Sequence, residues 1–421
     1  MTDNKVITVN GRAYPWPAAP LVVVCVDGSE PGGEGSDGGG YIERAIAAGA
    51  APFFERIRDT GTFTTADCVV PSFTNPNNLS IVTGRPPAVH GICGNFYYDS
   101  DADREVMMND PALMRAPTLF PAFHEAGASV TVITAKDKLR RLLGSGLDMS
   151  RGGAVCFSSE KAGEVTMAEN GIEGIAERLG MPVPDVYSAE LSEFAFAAGV
   201  ELMKTSRPDI MYLSTTDYIQ HKHAPGTEVA NRFYAMMDRY LAELDALGAV
   251  VALTADHGMK AKAGPGGEPN VIYLDPVLRS LGVDGARVIL PITDPYVVHH
   301  GALGGFATIY LPEGVDRDPL IEKLAALDGI ELVIDRQEAA GRFGLPADRI
   351  GDLVVISVSD HVLGSDPSRH DLSGLTEPLR SHGGISEQRV PFLVNRRSRT
   401  VDARLRNFDI FHHALNHLEV E

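Results

Sequence analysis

The sequence predicts an α/β protein with a mostly parallel central sheet flanked by helices, plus a smaller inserted α+β domain. Three short apolar runs, at residues 21–26, 210–213 and 250–253, have the length and composition of fully buried strands. Longer segments with helical periodicity separate these runs, as expected for a parallel sheet. Between residues 262 and 366 the pattern changes to short strands around a helix, which indicates an insertion.

The composition is that of a folded globular protein, with 421 residues, of which 44% are hydrophobic and 22% charged. The formal net charge of -19 disfavours nucleic acid and anionic membranes as partners, because phosphate would be repelled over most of the surface. A small anionic substrate would need local cations, such as two divalent metals and a few lysines. The cysteines lack CxxC spacing and no apolar run reaches the length of a membrane span, so we expect a cytoplasmic protein.

Carboxylates and histidines follow the three apolar runs. Asp27 follows the first run, Asp217 and His221 follow the second, and Asp256 with His257 follows the third. Ligands of open α/β sheets bind beyond the carboxyl ends of the strands, where carboxylate and imidazole side chains suit a metal. Each pattern alone also fits a capped or salt-bridged turn, but their repetition favours a metal site.

Periodicity and turn residues predict the remaining elements. The glycine-rich segment 28–40 lacks the order of a phosphate loop and is interpreted as a flexible surface loop. We expect a core formed by 1–261 and 367–421, with 262–366 as a cap. Helices are predicted at 41–58, 77–82, 119–126, 188–204, 227–247, 320–327 and 407–418, and further strands at 62–70, 129–134, 271–274, 307–311, 331–334, 353–358 and 390–394.

Thr74 lies at or just before the start of the helix predicted at 77–82. Backbone N–H groups at a helix N-terminus stabilise negative charge, so a hydroxyl there suits a nucleophile. The same position also suits an ordinary N-cap. The residues alone leave both interpretations open.

Lys136 and Lys138 come directly after the strand predicted at 129–134. If this segment stays extended, both ammonium groups point to one face. A solvated charged turn is the alternative. His382 lies in a glycine-flanked turn, SHGG, where the backbone can approach a ligand closely.

Four other histidines are not assigned to the site. His223 is expected at the surface or behind the ligands, although a place in the site stays open. His299, His300 and His361 are interpreted as structural, because no partner residue accompanies them in the sequence.

The order T-x-P-N, TG, HGI and GN, at 74–77, 83–84, 90–92 and 94–95, resembles the nucleophile region of the alkaline phosphatase superfamily, particularly its nucleotide pyrophosphatase/phosphodiesterase branch. The resemblance implies an alkaline-phosphatase-like core in which Thr74 attacks phosphorus. It also implies that Asn95 donates a hydrogen bond to a phosphoryl oxygen. On the residues alone, Asn95 equally fits a loop turn.

The same resemblance implies two metal sites and a phosphothreonine intermediate at Thr74. Oxygen and imidazole ligands without thiolate suit two Zn²⁺ ions, and Mn²⁺ or Fe²⁺ would also fit. One site would comprise Asp217, His221 and His382, and the other Asp27, Asp256, His257 and the hydroxyl of Thr74.

A threonine nucleophile combined with the Lys136–Lys138 pair resembles the carbon–phosphorus hydrolases of this superfamily, whose lysines bind a substrate carboxylate. We therefore expect hydrolysis of phosphonoacetate to acetate and phosphate, with nucleic acid and membrane excluded as partners and a homodimer left open. A nucleotide pyrophosphatase/phosphodiesterase would share the metals and threonine but would need an aromatic slot for a base. A cofactor-independent phosphoglycerate mutase is less favoured, because that branch resembles a pattern with a serine nucleophile. A metal-stabilised binding protein would use Thr74 only as a helix cap.

Overall fold

The computed structural model describes residues 5–32, 39–294, 300–399 and 404–419. Residues 33–38 of the predicted glycine-rich loop, and His299, lie outside the described residues. The strands are β1 (Val6–Val9), β2 (Arg12–Pro15), β3 (Leu21–Cys25), β4 (Thr62–Asp67), β5 (Phe96–Asp99), β6 (Arg104–Met107), β7 (Val130–Thr134), β8 (Ala154–Ser158), β9 (Ile210–Ser214), β10 (Val250–Thr254), β11 (Lys260–Ala261), β12 (Val271–Tyr273), β13 (Arg287–Ile289), β14 (Phe306–Tyr310), β15 (Ile330–Asp335), β16 (Leu353–Ser357), β17 (Val362–Gly364), β18 (Arg380–Ser381) and β19 (Arg389–Val394). The helices are α1 (Tyr41–Ala47), α2 (Pro52–Thr60), α3 (Thr74–Thr83), α4 (Pro87–His90), α5 (Leu119–Glu125), α6 (Asp137–Leu143), α7 (Met167–Asn170), α8 (Ile175–Leu179), α9 (Glu190–Thr205), α10 (Tyr218–Lys222), α11 (Glu228–Ala246), α12 (Leu274–Ser280), α13 (Arg317–Ala325), α14 (Arg336–Phe343) and α15 (Ile410–Asn416).

The central sheet has seven strands in the order β4-β19-β10-β3-β9-β7-β8 within the described residues. Strands β10, β3, β9, β7 and β8 are parallel. At one edge β19 is antiparallel to β10, and β4 is antiparallel to β19, so β4 runs in the same direction as the five parallel strands. Val22 and Val24 pack into the hydrophobic cluster on one face, while Leu21 and Val23 pack into the cluster on the other. Both faces are therefore covered, as parallel sheets require, and the predicted fold class is confirmed.

A second sheet lies wholly within residues 262–366. Its order is β13-β14-β16-β15, and all of its pairs are antiparallel. The short strand β11, directly before this segment, pairs with β18, which lies further along the chain after the segment has ended. The division of the chain into core and cap stays a prediction, because Val23 of the core and Ile356 of the second sheet belong to one continuous hydrophobic cluster.

Several predicted boundaries are wrong for local reasons. The helix predicted at 41–58 is two helices, because Gly49 has a positive φ of 68° and Pro52 starts a new helix. The strand predicted at 62–70 ends at Asp67, and the helix predicted at 407–418 begins as a 3₁₀ turn. In the inserted segment, α12, β13, α14 and β17 are too short to have been recognised by periodicity.

Among the described helices, none combines the length and apolar character needed to cross a bilayer.

Candidate metal centre and active site

The carboxyl ends of three neighbouring strands bring most of the predicted metal ligands together. Because β3 lies between β9 and β10 in the sheet, the residues that follow these strands share one edge. His257 Nε2 lies 3.2 Å from Asp27 Oδ1 and 3.9 Å from Asp256 Oδ2. All three side chains are buried. Residues separated by more than two hundred positions in the sequence thus form one cluster.

Asp217 and His221 complete this cluster with His382. Asp217 occupies the N-cap position of α10 without a side-chain capping hydrogen bond. The helical turn places its Oδ2 2.9 Å from His221 Nε2. The same oxygen lies 3.9 Å from His382 Nε2. We call these six residues the aspartate–histidine cluster: Asp27, Asp217, His221, Asp256, His257 and His382.

The cluster contains two groups of residues that could each hold a metal ion. Within each group, the potential ligand atoms all lie within 4.8 Å of one another. The first comprises Asp217, His221 and His382, as the resemblance implies. The second comprises Asp27, Asp217 and His257, so Asp217 takes part in both groups and Asp256 is not a member. One carboxylate oxygen of Asp256 accepts hydrogen bonds from backbone N–H groups, including that of His257 at 3.0 Å.

The three histidines of the cluster are oriented alike. Nδ1 of His221 lies 2.8 Å from the carbonyl oxygen of Arg380, and Nδ1 of His382 lies 2.8 Å from that of Ser72. Nδ1 of His257 lies 2.9 Å from the carbonyl oxygen of Gly258. Because a carbonyl only accepts, each Nδ1 carries a hydrogen, and Nε2 is directed into the cluster. This is the tautomer of metal-binding imidazoles.

The charges of the cluster also fit a metal. Burial, together with the carboxylates of Asp217 and Asp256, raises the pKa of Asp27 well above its usual value. Burial opposes protonation of His257, but Asp256 and Asp27 raise its pKa to about 10. Among the described residues, Asp27 Oδ1 and His257 Nε2 have no hydrogen-bond partner. Three buried carboxylates and unsatisfied donor atoms together favour a bound cation.

Thr74 is the first residue of α3, and the preceding Phe73 occupies the N-cap position. No side-chain hydrogen bond caps this helix. The interpretation of Thr74 as an ordinary N-cap is therefore wrong. Its side chain instead lines a pocket that also exposes Asp27, Asp217 and His382.

Asn95 is buried and lines the same pocket. Its Oδ1 accepts a hydrogen bond of 3.1 Å from the backbone N–H of Asn75, the residue after Thr74. Its Nδ2 lies 3.4 Å from the carbonyl oxygen of Ile292, a long and weak bond. The amide is thus oriented with its N–H₂ group available as a donor beside Thr74.

Lys136 and Lys138 also line this pocket, although not by the predicted geometry. The segment does not stay extended: Lys136 is the N-cap of α6, and Lys138 lies in the first turn of that helix. Lys138 Nζ forms an ion pair of 2.5 Å with Asp294, and the two side chains are only 8% and 11% exposed. Although burial opposes its ionisation, the ammonium groups of Lys138 and Lys136 hold the pKa of Asp294 at about 2.

Sequence reasoning missed Thr215, Asp294 and His300, which line the pocket. Thr215 Oγ1 accepts a hydrogen bond of 2.9 Å from the backbone N–H of Asp27. Asp294 follows an apolar run at 288–292. The same signal, an aspartate after an apolar run, identified Asp27, Asp217 and Asp256. His300, which was interpreted as structural, stacks on His221 with 5.5 Å between ring centroids.

His300 differs from the histidines of the cluster, because its Nδ1 accepts a hydrogen bond of 3.1 Å from the N–H of Ala302. Its Nε2 therefore carries the hydrogen of the neutral ring, and His300 is a donor. His223 is half-buried and is not among the residues lining the pocket. His361 pairs with the adjacent Asp360 at 2.9 Å.

We call the pocket region formed by Lys136, Lys138, Asp294 and His300 the lysine end.

The chain matches a known protein family over most of its length. The family model described as type I phosphodiesterase/nucleotide pyrophosphatase matches residues 21–384, and the chain belongs to this family. This confirms the resemblance to the nucleotide pyrophosphatase/phosphodiesterase branch of the alkaline phosphatase superfamily.

Solved structures give closer comparisons. The chain is 58% identical to phosphonoacetate hydrolase from Sinorhizobium meliloti 1021, over 98% of this chain and 99% of that one, with a TM-score of 0.93. That protein was crystallised in complex with phosphonoformate and with phosphonoacetate. Murine ectonucleotide pyrophosphatase/phosphodiesterase 5 is 17% identical over 96% of each chain with a TM-score of 0.61, and shares the fold.

Proposed function

We propose that this chain hydrolyses the carbon–phosphorus bond of phosphonoacetate to acetate and phosphate, using two Zn²⁺ ions and a phosphothreonine intermediate. The observation that carries the proposal is a single pocket lined by Thr74, by two lysines and by four members of the aspartate–histidine cluster, Asp27, Asp217, His221 and His382. The 58% identity to a phosphonoacetate hydrolase crystallised with phosphonoacetate supports this choice of substrate.

In this proposal one Zn²⁺ is held by Asp217, His221 and His382. The other is held by Asp27, Asp256, His257 and the Thr74 hydroxyl, and the place of Asp217 in both ligand groups supports two adjacent sites. When bound, the ions neutralise the buried carboxylates, favour the ionised hydroxyl and offset charge on the phosphonyl oxygens. Mn²⁺ or Fe²⁺ suits the same donors.

Thr74 acts as the nucleophile. Its position as the first residue of α3 places the hydroxyl at a helix N-terminus, which favours negative charge. The Thr74 oxygen bonds to phosphorus, the phosphorus–carbon bond breaks, and its electron pair leaves with the methylene carbon. Water then cleaves the phosphothreonine, releasing phosphate and restoring the hydroxyl. Asn95 donates to a phosphoryl oxygen throughout.

The lysine end stabilises the carbanion that leaves when the phosphorus–carbon bond breaks. A carbanion leaves poorly, but a neighbouring carboxylate delocalises the charge into an enolate-like acetate dianion, which then takes a proton from solvent. Lys136 and Lys138 stabilise the added charge more strongly in the transition state than in the ground state. The ion pair with Asp294 holds Lys138 in place at the pocket wall.

Residues 262–366 act as a cap in this proposal. Ile292, Asp294 and His300 from this segment line the pocket beside Thr74 and Asp217 of the core. β11, directly before the segment, pairs with β18, which lies in the part of the core that follows the segment. The cap thus contributes to substrate selection, while the core supplies the metal ligands and the nucleophile.

The test is a comparison of three substrates with the zinc-loaded protein: phosphonoacetate, 2-aminoethylphosphonate and a p-nitrophenyl nucleotide ester. We expect phosphate and acetate in equal amounts from phosphonoacetate, with little product from the other two. Steady release of nitrophenol without turnover of phosphonoacetate would instead identify a nucleotide pyrophosphatase/phosphodiesterase.

A further inference from the structure

Asn78 lies four residues after Thr74 in α3, and its side chain is fully buried. We propose that Asn78 is a positioning residue that fixes the Thr74 end of α3 to the carboxylate of Asp256. The inference rests on the proposed function, because it assigns Asn78 a role in holding the nucleophile and one metal ligand in register.

The donor side of the amide joins the two groups directly. Asn78 Nδ2 donates to the carbonyl oxygen of Thr74 at 3.1 Å and to Asp256 Oδ2 at 3.1 Å. One nitrogen atom therefore bridges the first turn of α3 and the end of β10. A shift of α3 along its axis would break the bond to Asp256, so the two positions are coupled.

The acceptor side fixes the orientation of the amide. Asn78 Oδ1 accepts hydrogen bonds from Tyr212 Oη at 2.7 Å and from Ser214 Oγ at 3.3 Å, both on β9. Because the carbonyl oxygen of Thr74 can only accept, the amide atom that faces it is the nitrogen, and the atom that faces the two hydroxyls is the oxygen. All four hydrogen-bonding positions of the side chain are used, which is costly to disturb in a buried site.

The bond to Asn78 restricts how Asp256 can bind a metal. Oδ1 of Asp256 accepts from the N–H groups of Gly28 and His257, at 3.2 and 3.0 Å. Oδ2 accepts from Asn78, so its remaining lone pair is the direction left towards His257 Nε2. Asp256 is thereby set to offer a single oxygen. A neutral amide achieves this without adding charge to a region with three buried carboxylates.

The neighbouring Asn77 provides a matched control. It is also fully buried in α3, and its amide bonds to the backbone of Val69 and Phe73 and to Asn407. None of the described hydrogen bonds of its side chain reaches Asp256 or the carbonyl of Thr74. The same substitution at both positions therefore separates general damage to α3 from an effect on the site.

The experiment compares Asn78→Asp, Tyr212→Phe and Asn77→Asp in the zinc-loaded full chain. Asn78→Asp keeps the size and the acceptor oxygen but removes the donor, and it opposes the carboxylate of Asp256 with another. Three quantities are measured: the rate of zinc release to a chelator, kcat and KM for phosphonoacetate, and the free energy of unfolding of the metal-free protein.

For Asn78→Asp we expect zinc release to be about 10- to 100-fold faster and kcat to fall by a similar factor, which is typical of residues that orient metal ligands. KM should change less than about twofold, because Asn78 does not contact substrate. Tyr212→Phe should give a smaller change in the same direction. Asn77→Asp should lower the free energy of unfolding while leaving zinc release unchanged.

Zinc release and kcat equal to those of the parent in a folded Asn78→Asp protein would overturn the inference. So would equal acceleration of zinc release in Asn77→Asp, since that would indicate general damage to the helix. If the parent binds zinc but does not turn over phosphonoacetate, the proposed substrate is wrong, and the zinc-release comparison still tests Asn78.

Discussion

The aspartate–histidine cluster and the lysine end face each other across one pocket but are built differently. Five of the six residues of the cluster follow three adjacent parallel strands, and the Nδ1 atom of each of its histidines is held by a backbone carbonyl. The lysine end combines the start of α6 with Asp294 and His300 from the inserted segment. Its orientation depends on the ion pair between Lys138 and Asp294.

The proposed function assigns the chemistry to the cluster and the choice of substrate to the lysine end. The cluster is fixed by a sheet edge, whereas the lysine end is formed by a helix start and by residues of the inserted segment. Substitutions in the two regions should therefore have different kinetic signatures.

The largest effect is expected for the proposed nucleophile, Thr74, which lines the pocket together with residues of both regions. Thr74→Ala should lower kcat on the order of a thousandfold or more, because no other group can form the covalent intermediate. Zinc content should be retained, since the carboxylates and imidazoles stay in place. Thr83→Ala, at the other end of α3, is the control and should keep most of the activity. Substantial activity in Thr74→Ala would remove Thr74 from the mechanism.

The lysine end should affect substrate use without affecting metal binding. Lys136→Ala and Lys138→Ala should each lower kcat/KM for phosphonoacetate about 10- to 100-fold, the range for a lost hydrogen bond to a charged group. Zinc content, measured by elemental analysis, should equal that of the parent. The exposed Lys161, which pairs with Glu164, provides the control substitution Lys161→Ala. Undiminished turnover of phosphonoacetate in both pocket variants would contradict the proposed role of the lysine end in substrate use.

The support of α3 can be tested by pH. His90 Nε2 lies 2.9 Å from Ser80 Oγ of α3, and burial lowers the pKa of His90 from 6.5 to about 3. As the pH falls below about 6.5 the unfolded chain binds this proton first, so the free energy of unfolding should drop by about 2 kcal/mol at pH 5. Denaturant titrations at pH 7.5 and pH 5 should show a loss about 2 kcal/mol larger in the parent than in His90→Gln, because the other buried histidines contribute equally to both proteins. Equal losses in both proteins would contradict the assignment.

The smallest effect is expected at Asp294. Asp294→Asn removes the carboxylate that holds Lys138 in position, so KM for phosphonoacetate should rise about threefold to tenfold. Steady-state kinetics at constant ionic strength measure this change, with zinc content as the check on the cluster. A fall in KM would mean that Asp294 acts mainly by its negative charge and not by holding Lys138.

Much of the site could be predicted from the sequence because its residues follow buried strands. Asp27, Asp217 and Asp256 each follow an apolar run, and parallel strands bring such positions to one edge. The lysine end could not be predicted in the same way, because its geometry depends on where α6 begins and on contacts between Lys138 and the distant Asp294. The role of His300 was missed because its partner is a backbone N–H, which sequence does not reveal.

The central claim is that Thr74 receives the phosphoryl group before water does. The most direct measurement is the stereochemical course at phosphorus, using a phosphonoacetate analogue made chiral with sulfur and isotopic oxygen and hydrolysed in isotopically labelled water. Two successive displacements, at Thr74 and then at water, predict retention of configuration. Inversion would mean direct attack by water and would contradict the account.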